Sequence, residues 1–138
     1  MLRIASIGVL LTCFVLGCGS GSDAPPTFSV SGTITFDGQP VKSGEITFES
    51  DEKGVAPDAG PITDGKFSLK AKEGKKLVKI RAMREVPGKA TKGAMGEDIS
   101  AKEQYIPARY NEKTELVESV EAVSNSFDFT LKGDGAAK

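Results

Sequence analysis

The sequence predicts an all-β protein built as a single β-sandwich of about seven strands. Two observations lead to this fold class. Apolar residues recur at every second position in several short segments, which is the spacing of a strand with one buried and one solvent-exposed face. Turn signals such as Asp64-Gly65 separate these segments. Six or seven short strands joined by such turns are typical of a sandwich.

The first predicted hairpin, Phe28 to Ser50, shows this alternation most clearly. One face of its first strand carries Phe28, Val30, Ile34 and Phe36. The opposite face is a row of Ser and Thr residues. Asp37-Gly38-Gln39-Pro40 interrupts the pattern, because Gly tolerates positive φ and Pro cannot donate to a strand ladder. Ile46 and Phe48 then resume the apolar face of a second strand.

Three further strands follow from the same spacing. Their apolar faces carry Phe67, Leu69 and Ala71, then Val78, Ile80 and Ala82, and finally Phe127, Phe129 and Leu131. Asp51 to Gly60 is polar, with two glycines and one proline, and is predicted as a loop. Pro61 to Thr63 is predicted as a short strand. Thr114 to Val123 is compatible with a helical stripe or a strand, and the surrounding β pattern favours a strand. The predicted core comprises Phe36, Phe48, Phe67, Val78, Ile80, Phe127 and Phe129.

The segment from Glu85 to Gln104 has almost no apolar pattern and holds three glycines and a proline, so we predict a long loop. Loops of this length are usually either functional or disordered, and both interpretations stay open. Binding residues concentrate on loops, because a rigid scaffold positions them. The candidate binding residues are Tyr105, Tyr110 and Arg109. The alternative is that the tyrosines pack beneath the loop.

Residues 1–17 are predicted to be a cleaved signal peptide. Arg3 is followed by 13 mostly apolar, uncharged residues, which are too few for a membrane-spanning helix of the mature protein. An uncleaved anchor helix is the alternative. After cleavage, 17 basic residues face 19 acidic ones, since Arg3 is lost, and the net charge is −2. We therefore expect no nucleic-acid partner.

The end of this leader, Val15-Leu16-Gly17-Cys18, resembles the lipobox of bacterial lipoproteins. The resemblance implies a diacylglycerol on the Cys18 thiol, cleavage before it, and acylation of the new N-terminus, with palmitate as a typical chain. A free or disulfide-bonded Cys18 is the alternative, and Cys13 matches less well, because Thr12 precedes it. Gly19 rather than Asp follows the cysteine, which favours the outer membrane or cell surface over the inner membrane.

The mature chain is predicted to have three parts. Residues 18–27 form the lipidated Cys and a flexible tether, residues 28–132 form the sandwich domain, and residues 133–138 form a disordered tail. With Cys18 acylated, no internal disulfide can form, so the core alone must hold the fold. A chain of this length can do so as one domain.

The domain resembles the carboxypeptidase regulatory-like family, which has a transthyretin-like (prealbumin-like) sandwich. Val30 to Val41 and Gly44 to Phe48 resemble its opening, and Thr63 to Leu69 resembles its second signature, a Thr-Asp-Gly turn before an aromatic strand. Glu73 to Ile80 resembles the third signature, although Lys76-Leu77 stand where the family often has an aromatic residue.

The later part of the chain extends this resemblance. Ile106 to Asn111 and Phe127 to Leu131 resemble a group of short bacterial lipoproteins built from this one domain. The resemblance implies accessory, adhesive or scaffolding roles at the cell surface. It supplies no catalytic residue.

We predict no catalytic or metal centre and no cofactor. The chain has no His, the commonest general base and metal ligand, and no free Cys is expected. Ser43 beside Lys42 and Ser68 between two lysines offer no Ser-Lys pair, because adjacent strand residues point to opposite faces. The loop acids lack the closely spaced carboxylates that calcium requires.

The sequence therefore predicts a non-catalytic lipoprotein of the cell envelope, anchored to the membrane by lipid and acting as a binding or structural module. Its partner would be an unidentified envelope protein or glycan. The alternative is a ligand- or glycan-binding accessory lipoprotein that serves a transporter or hydrolase. An exposed hydrophobic edge would favour the first function, and a concave pocket containing Tyr105 or Tyr110 would favour the second.

Overall fold

Ten strands and one short 3₁₀ helix, Ala108–Tyr110, make up the regular structure in the computed structural model, which describes residues 24–134. The strands are β1 (Thr27–Phe36), β2 (Gln39–Pro40), β3 (Ser43–Ser50), β4 (Asp58–Thr63), β5 (Lys66–Lys72), β6 (Gly74–Arg81), β7 (Met83–Lys92), β8 (Asp98–Gln104), β9 (Val117–Val120) and β10 (Asn125–Leu131). The all-β fold class is confirmed. The predicted signal peptide, Cys18 and residues 135–138 lie outside the described residues.

Seven of these strands form one sheet in the order β10-β1-β5-β4-β3-β6-β9, and β2 attaches to β1. Neighbouring strands are antiparallel except β1 and β10, which run parallel. The ring of Phe48 on β3 lies 6.1 Å from that of Phe127 on β10, although these strands are far apart in the sheet order. The sheet therefore curls until its two halves face each other as a sandwich.

Two Asp-Gly turns join neighbouring strands of this sheet, β1 to β2 and β4 to β5. Asp37 and Gly38 have φ angles of 49° and 82°, and Asp64 and Gly65 have φ angles of 47° and 75°. Positive φ at both central positions is the geometry of the tight hairpin turn that Asp-Gly favours. The turn signals in the sequence are thus confirmed at both places. The predicted hairpin from Phe28 to Ser50 is wrong, because β1 turns back only into the short β2, whereas β3 pairs with β4 and β6.

The core lies between the two halves of the curled sheet. Five of the seven predicted core residues are buried there, and they are Phe48, Phe67, Val78, Ile80 and Phe129. Phe36 and Phe127 are only partly buried. Phe36 ends β1, and Phe127 lies near the start of β10, whose later residues Phe129 and Leu131 are buried. Phe36 and Phe127 both pack against the buried core and thus lie at its margin.

The predicted loop from Asp51 to Gly60 is shorter than expected, because β4 already begins at Asp58. The choice of a strand for Thr114 to Val123 is confirmed for Val117–Val120, which pairs with β6. In this pairing Glu118 lies opposite Lys76 on the inward side of the sheet.

The prediction of a long loop from Glu85 to Gln104 is wrong. Strands β7 and β8 pair as an antiparallel ribbon, here called the ribbon, residues 83–104. Alternating apolar residues mark a strand with one buried face, whereas no residue of the ribbon is buried. The sequence pattern was absent because both faces of the ribbon meet solvent.

The strand directions place two features at opposite ends of the sandwich. β1 begins at Thr27, where the tether enters, and it pairs there with Lys72 at the end of β5. Following the alternating directions across the sheet, β6 runs the same way as β1 and leads at its far end into the ribbon. We call these the tether end and the ribbon end. Ten residues of β1 separate them by roughly 33 Å.

Candidate functional site

The ribbon is the feature of the described chain with the most exposed apolar surface. Met83, Met95 and Ile99 are 51%, 95% and 44% exposed, and they are three of the five large hydrophobic residues exposed in residues 24–134. Neither β7 nor β8 pairs with any other strand of this region. The outer backbone groups of both strands therefore remain available for pairing with another chain.

The ribbon tip is an ordered turn that holds Met95 outward. The Gly93 N–H donates to the Glu97 carbonyl at 2.8 Å, and the Gly96 N–H donates to the Gly93 carbonyl at 3.0 Å. The Met95 N–H donates to the Glu97 carboxylate at 3.0 Å. Gly96 has a φ of 84°, which few other residues adopt, so the turn needs glycine there.

A large bulge divides the ribbon. Pairing proceeds from Met83–Gln104 to Glu85–Lys102 and resumes at Ala90–Ser100, so four residues, 86–89, face Ala101 alone. The bulge borders a groove of about 570 Å³ lined by residues 85–90 and 98–100, including the exposed Ile99. Bulges bend a strand and re-aim its side chains. This arrangement presents an apolar side chain beside backbone that can accept and donate hydrogen bonds.

Few interactions stabilise the pairing of β7 with β8. Arg84 and Glu103 form an ion pair at 2.7 Å near the base, and Lys92 and Asp98 form one at 2.7 Å near the tip. All four side chains are at least 46% exposed, so each pair stabilises the ribbon by at most about 1 kcal/mol. An isolated two-stranded hairpin is only marginally stable in water. A partner that covers the ribbon would add the missing stabilisation.

Tyr105, one of the predicted binding residues, lies at the base of the ribbon. Its ring packs edge-on against Phe36 at 5.4 Å, and the Arg84 guanidinium lies 5.4 Å from the ring centre. Burial raises the pKa of Tyr105, and the nearby Arg84 charge opposes this rise. The contacts are those of a side chain that packs against the sandwich, as the alternative interpretation of the sequence expected.

The other two predicted binding residues, Arg109 and Tyr110, lie together and hold the chain that follows β10. The Arg109 guanidinium donates to the Asp134 carboxylate and to the Gly133 carbonyl, and it stacks 4.9 Å from the Tyr110 ring centre. The Tyr110 hydroxyl accepts a hydrogen bond from the Lys132 N–H at 3.1 Å. Hydrogen bonding from Arg109 lowers the pKa of Tyr110.

These contacts bear on two predictions. The first residues of the expected tail, Gly133 and Asp134, are held by Arg109 rather than extended into solvent. Neither tyrosine lines the groove beside the bulge. Recognition through Tyr105, Tyr110 and Arg109 stays a prediction. The sequence predicted a loop where the ribbon lies, and the ribbon holds three of the five exposed large hydrophobic side chains of residues 24–134.

The described residues contain no cluster of three or more His, Cys, Asp or Glu side chains that could hold a metal ion. They also contain no helix of the length and hydrophobicity needed to cross a bilayer.

Comparison with known proteins gives only distant likenesses. No protein-family model and no curated protein matches the chain. Among solved structures, a DUF3823 family protein from Parabacteroides merdae is 13% identical with a TM-score of 0.44, over 80% of this chain and 48% of that one. A 9R-lipoxygenase from Cyanothece is 11% identical with a TM-score of 0.39, over 77% of this chain and 16% of that one. The chain thus spans less than half the length of either protein.

Proposed function

We propose that this protein is a lipid-anchored, non-catalytic binding module of the cell envelope, and that the ribbon is its recognition element. One observation carries the proposal. The ribbon extends from the sandwich without a single buried residue and exposes Met83, Met95 and Ile99. The Cys18 lipobox and the carboxypeptidase regulatory-like motifs of the sequence support the envelope location and the accessory role.

The geometry of anchoring favours a partner that lies away from the membrane. A lipid on Cys18 would fix the tether end, and the tether of residues 18–27 spans at most about 35 Å. The ribbon leaves the opposite end of the sandwich, roughly 33 Å along β1, and the ten residues of β7 extend it by a similar distance. Met95 would then be the point of the molecule that reaches furthest from the anchor.

The chemistry of the ribbon favours a protein partner. Its backbone edges suit the addition of a strand from another chain, a mode in which main-chain hydrogen bonds give affinity and side-chain contacts give specificity. Met95 suits an apolar depression in the partner, because methionine adapts its shape readily. Glycan binding through the tyrosines has less support, since Tyr105 packs on Phe36 and the Tyr110 hydroxyl already accepts a hydrogen bond.

Site-specific cross-linking in cells tests the proposal. A photoreactive amino acid at position 95 should yield cross-links to an envelope protein. The same amino acid at Lys66, an exposed position on the sandwich, is the matched control and should yield few. Cross-links of equal yield and identity from both positions, or none from position 95, would show that the ribbon is not the recognition element.

A further inference from the structure

A buried lysine marks a second site at the tether end. Lys76 is the only charged residue buried in residues 24–134, with 2% of its surface exposed. It lies on β6 at the inward positions that continue with Val78 and Ile80, so its side chain points between the two halves of the sheet. This is the place where the sequence departs from the aromatic residue expected in the family.

The ammonium of Lys76 lacks a partner in this part of the chain. The ion pairs of residues 24–134 do not include Lys76, and it donates no side-chain hydrogen bond there. Every fully enclosed side-chain nitrogen or oxygen in the same region has a hydrogen-bond partner. The Lys76 ammonium is therefore not fully enclosed, although only 2% of the residue is exposed, and Lys76 lines a cavity at this end of the sheet.

That cavity opens at the tether end, next to the point where the chain enters β1. Its volume is about 180 Å³, and its wall includes Pro25, Pro26, Gly74 and Lys76. Cavities that hold drug-sized ligands measure about 300–1,000 Å³, so this one suits a smaller molecule. The hydroxyl-bearing Ser50, the cross-strand neighbour of Lys76, also lines it.

The charged residues around the cavity differ in burial. Lys76 is buried, whereas the lining residues Asp51, Glu52 and Glu73 are exposed and form no ion pair within residues 24–134. Lys72 is neutralised by Asp58 at 2.5 Å, and Lys75 is exposed. A bound molecule would therefore meet the buried positive charge of Lys76 and the predominantly negative charge of the exposed lining residues.

We infer that this cavity binds a small zwitterion, with an anionic phosphate or carboxylate on Lys76 and an ammonium among the exposed acids. An anion alone would satisfy Lys76 but face the exposed carboxylates, and a cation alone would leave the buried ammonium unpaired. The Lys76 ammonium keeps only limited contact with water, because 2% of the residue is exposed, so its pairing with the anionic group supplies the larger share of the binding. The inference goes beyond the proposed function and uses the opposite end of the molecule.

Glu118 is the competing internal partner for Lys76. It lies directly across from Lys76 on β9 and is half-buried, but their charged groups are more than 4 Å apart. If this pair closed in solution, Lys76 would serve only the fold. Glu118→Gln distinguishes ligand binding by Lys76 from a purely structural role, because it removes the internal partner and leaves the cavity wall intact. If Lys76 binds the ligand, this substitution should preserve or strengthen binding.

Titration of the full-length protein in detergent with O-phosphoethanolamine, followed by amide chemical shifts, tests the inference. Shifts of Ser50 and Lys76 should saturate, and inorganic phosphate or ethanolamine alone should bind at least about tenfold more weakly. Lys76→Met should weaken binding by about tenfold or more, since it removes the charged hydrogen bond. Lys66→Met, a matched control on the far part of β5, should leave the affinity within about twofold.

Three results would overturn the inference. They are an absence of saturable shifts in the wild type up to about 10 mM ligand, equal affinity of Lys76→Met and the wild type, and binding abolished by Glu118→Gln. If Lys76→Met does not fold, nuclear Overhauser contacts between the ligand methylenes and the Lys76 side chain in the wild type decide instead, and their absence also counts against it.

A second arm identifies the source of the zwitterion. Vesicles of phosphatidylethanolamine and vesicles of phosphatidylglycerol are each added to the lipidated protein. Shifts at Ser50 and Lys76 with the first vesicles alone indicate a membrane headgroup, and shifts with soluble phosphoethanolamine alone indicate a free metabolite. Either result supports the inference.

Discussion

Replacing Phe67 with alanine should remove a central part of the sandwich core. Phe67 lies on β5 with 4% of its surface exposed, and its ring is 6.3 Å from Phe48 and 6.1 Å from Phe129. Burial of about 150–250 Å² at about 25 cal/mol per Å² stabilises the fold by roughly 4–6 kcal/mol. Compactness of the unfolded chain reduces this figure, which then agrees with the 3–5 kcal/mol typical of such truncations.

The loss is a large fraction of the stability of such a domain. About 100 residues correspond to roughly 5–15 kcal/mol of unfolding free energy. At roughly 4–8 °C per kcal/mol, Tm should fall by about 12–40 °C. Calorimetry or circular dichroism of the full chain measures this change.

Ser68 supplies the matched control for Phe67. It is the next residue on β5, is exposed, and faces the opposite side of the sheet. Ser68→Ala should change the free energy of unfolding by no more than about 0.5 kcal/mol. Equal effects of the two substitutions would refute the assignment of faces, and with it the curled-sheet core.

Three other predictions use different parts of the molecule. Replacing Pro87 to Ala101 by a short Gly-Ser linker should leave Tm nearly unchanged, because no ribbon residue is buried, and should remove the envelope partners recovered by chemical cross-linking of intact cells. A large loss of Tm, or an unchanged set of partners, would contradict this. Cys18→Ala should release the protein from membranes or leave it unprocessed, and mass spectrometry of an unmodified mature N-terminus would refute lipidation. In a titration followed by tyrosinate absorbance, Tyr110 should ionise below the usual pKa of about 10 and Tyr105 above it, and Arg109→Ala should raise the pKa of Tyr110. Tyr105 stabilises the fold below pH 10 and loses this effect as pH rises through its folded pKa, whereas ionised Tyr110 favours the folded state above pH 10.

The strands with one buried face could be predicted from the sequence, because burial imposes the alternation that was used to find them. β1, β5 and β10 are clear cases, and the Asp-Gly turns set the register of β1 with β2 and of β4 with β5. Phe36 and Phe127 have the same alternation but lie near the end of β1 and the start of β10 and are only partly buried, whereas Phe129 on β10 is buried. Periodicity reports the face of a strand and not its depth in the core.

The ribbon could not be predicted by the same reasoning. Its strands form through backbone pairing and a glycine-containing tip, and neither requires an alternating apolar pattern. The usable signal was weak: Glu85 and Lys102 can pair across an antiparallel ribbon, as can Lys92 and Asp98. Such pairs are found only after the register is known. The element that carries the proposed function is therefore the one that a search for buried faces overlooks.

Lys76 illustrates the converse case, a site that the sequence pattern did contain. The alternation of Val78 and Ile80, extended by one step toward the N-terminus, places Lys76 on the inward face of β6. In the sequence it stands only as a departure from the aromatic residue of the family that the domain resembles. The structure adds what surrounds Lys76. Its inward position lies at the tether end, where the two halves of the sheet open into a cavity instead of closing on each other.

The direction of β6 explains how one strand can serve both proposed sites without coupling them closely. The strand begins at Gly74 beside the cavity and ends at Arg81, immediately before the ribbon, with the buried Val78 and Ile80 between. Eight residues of strand separate the two sites by roughly 26 Å. Perturbations at such distances, with no shared partner, usually act independently. A ligand near the proposed lipid anchor and a partner on the ribbon could thus be bound at once, each recognised by a different end of the same sheet.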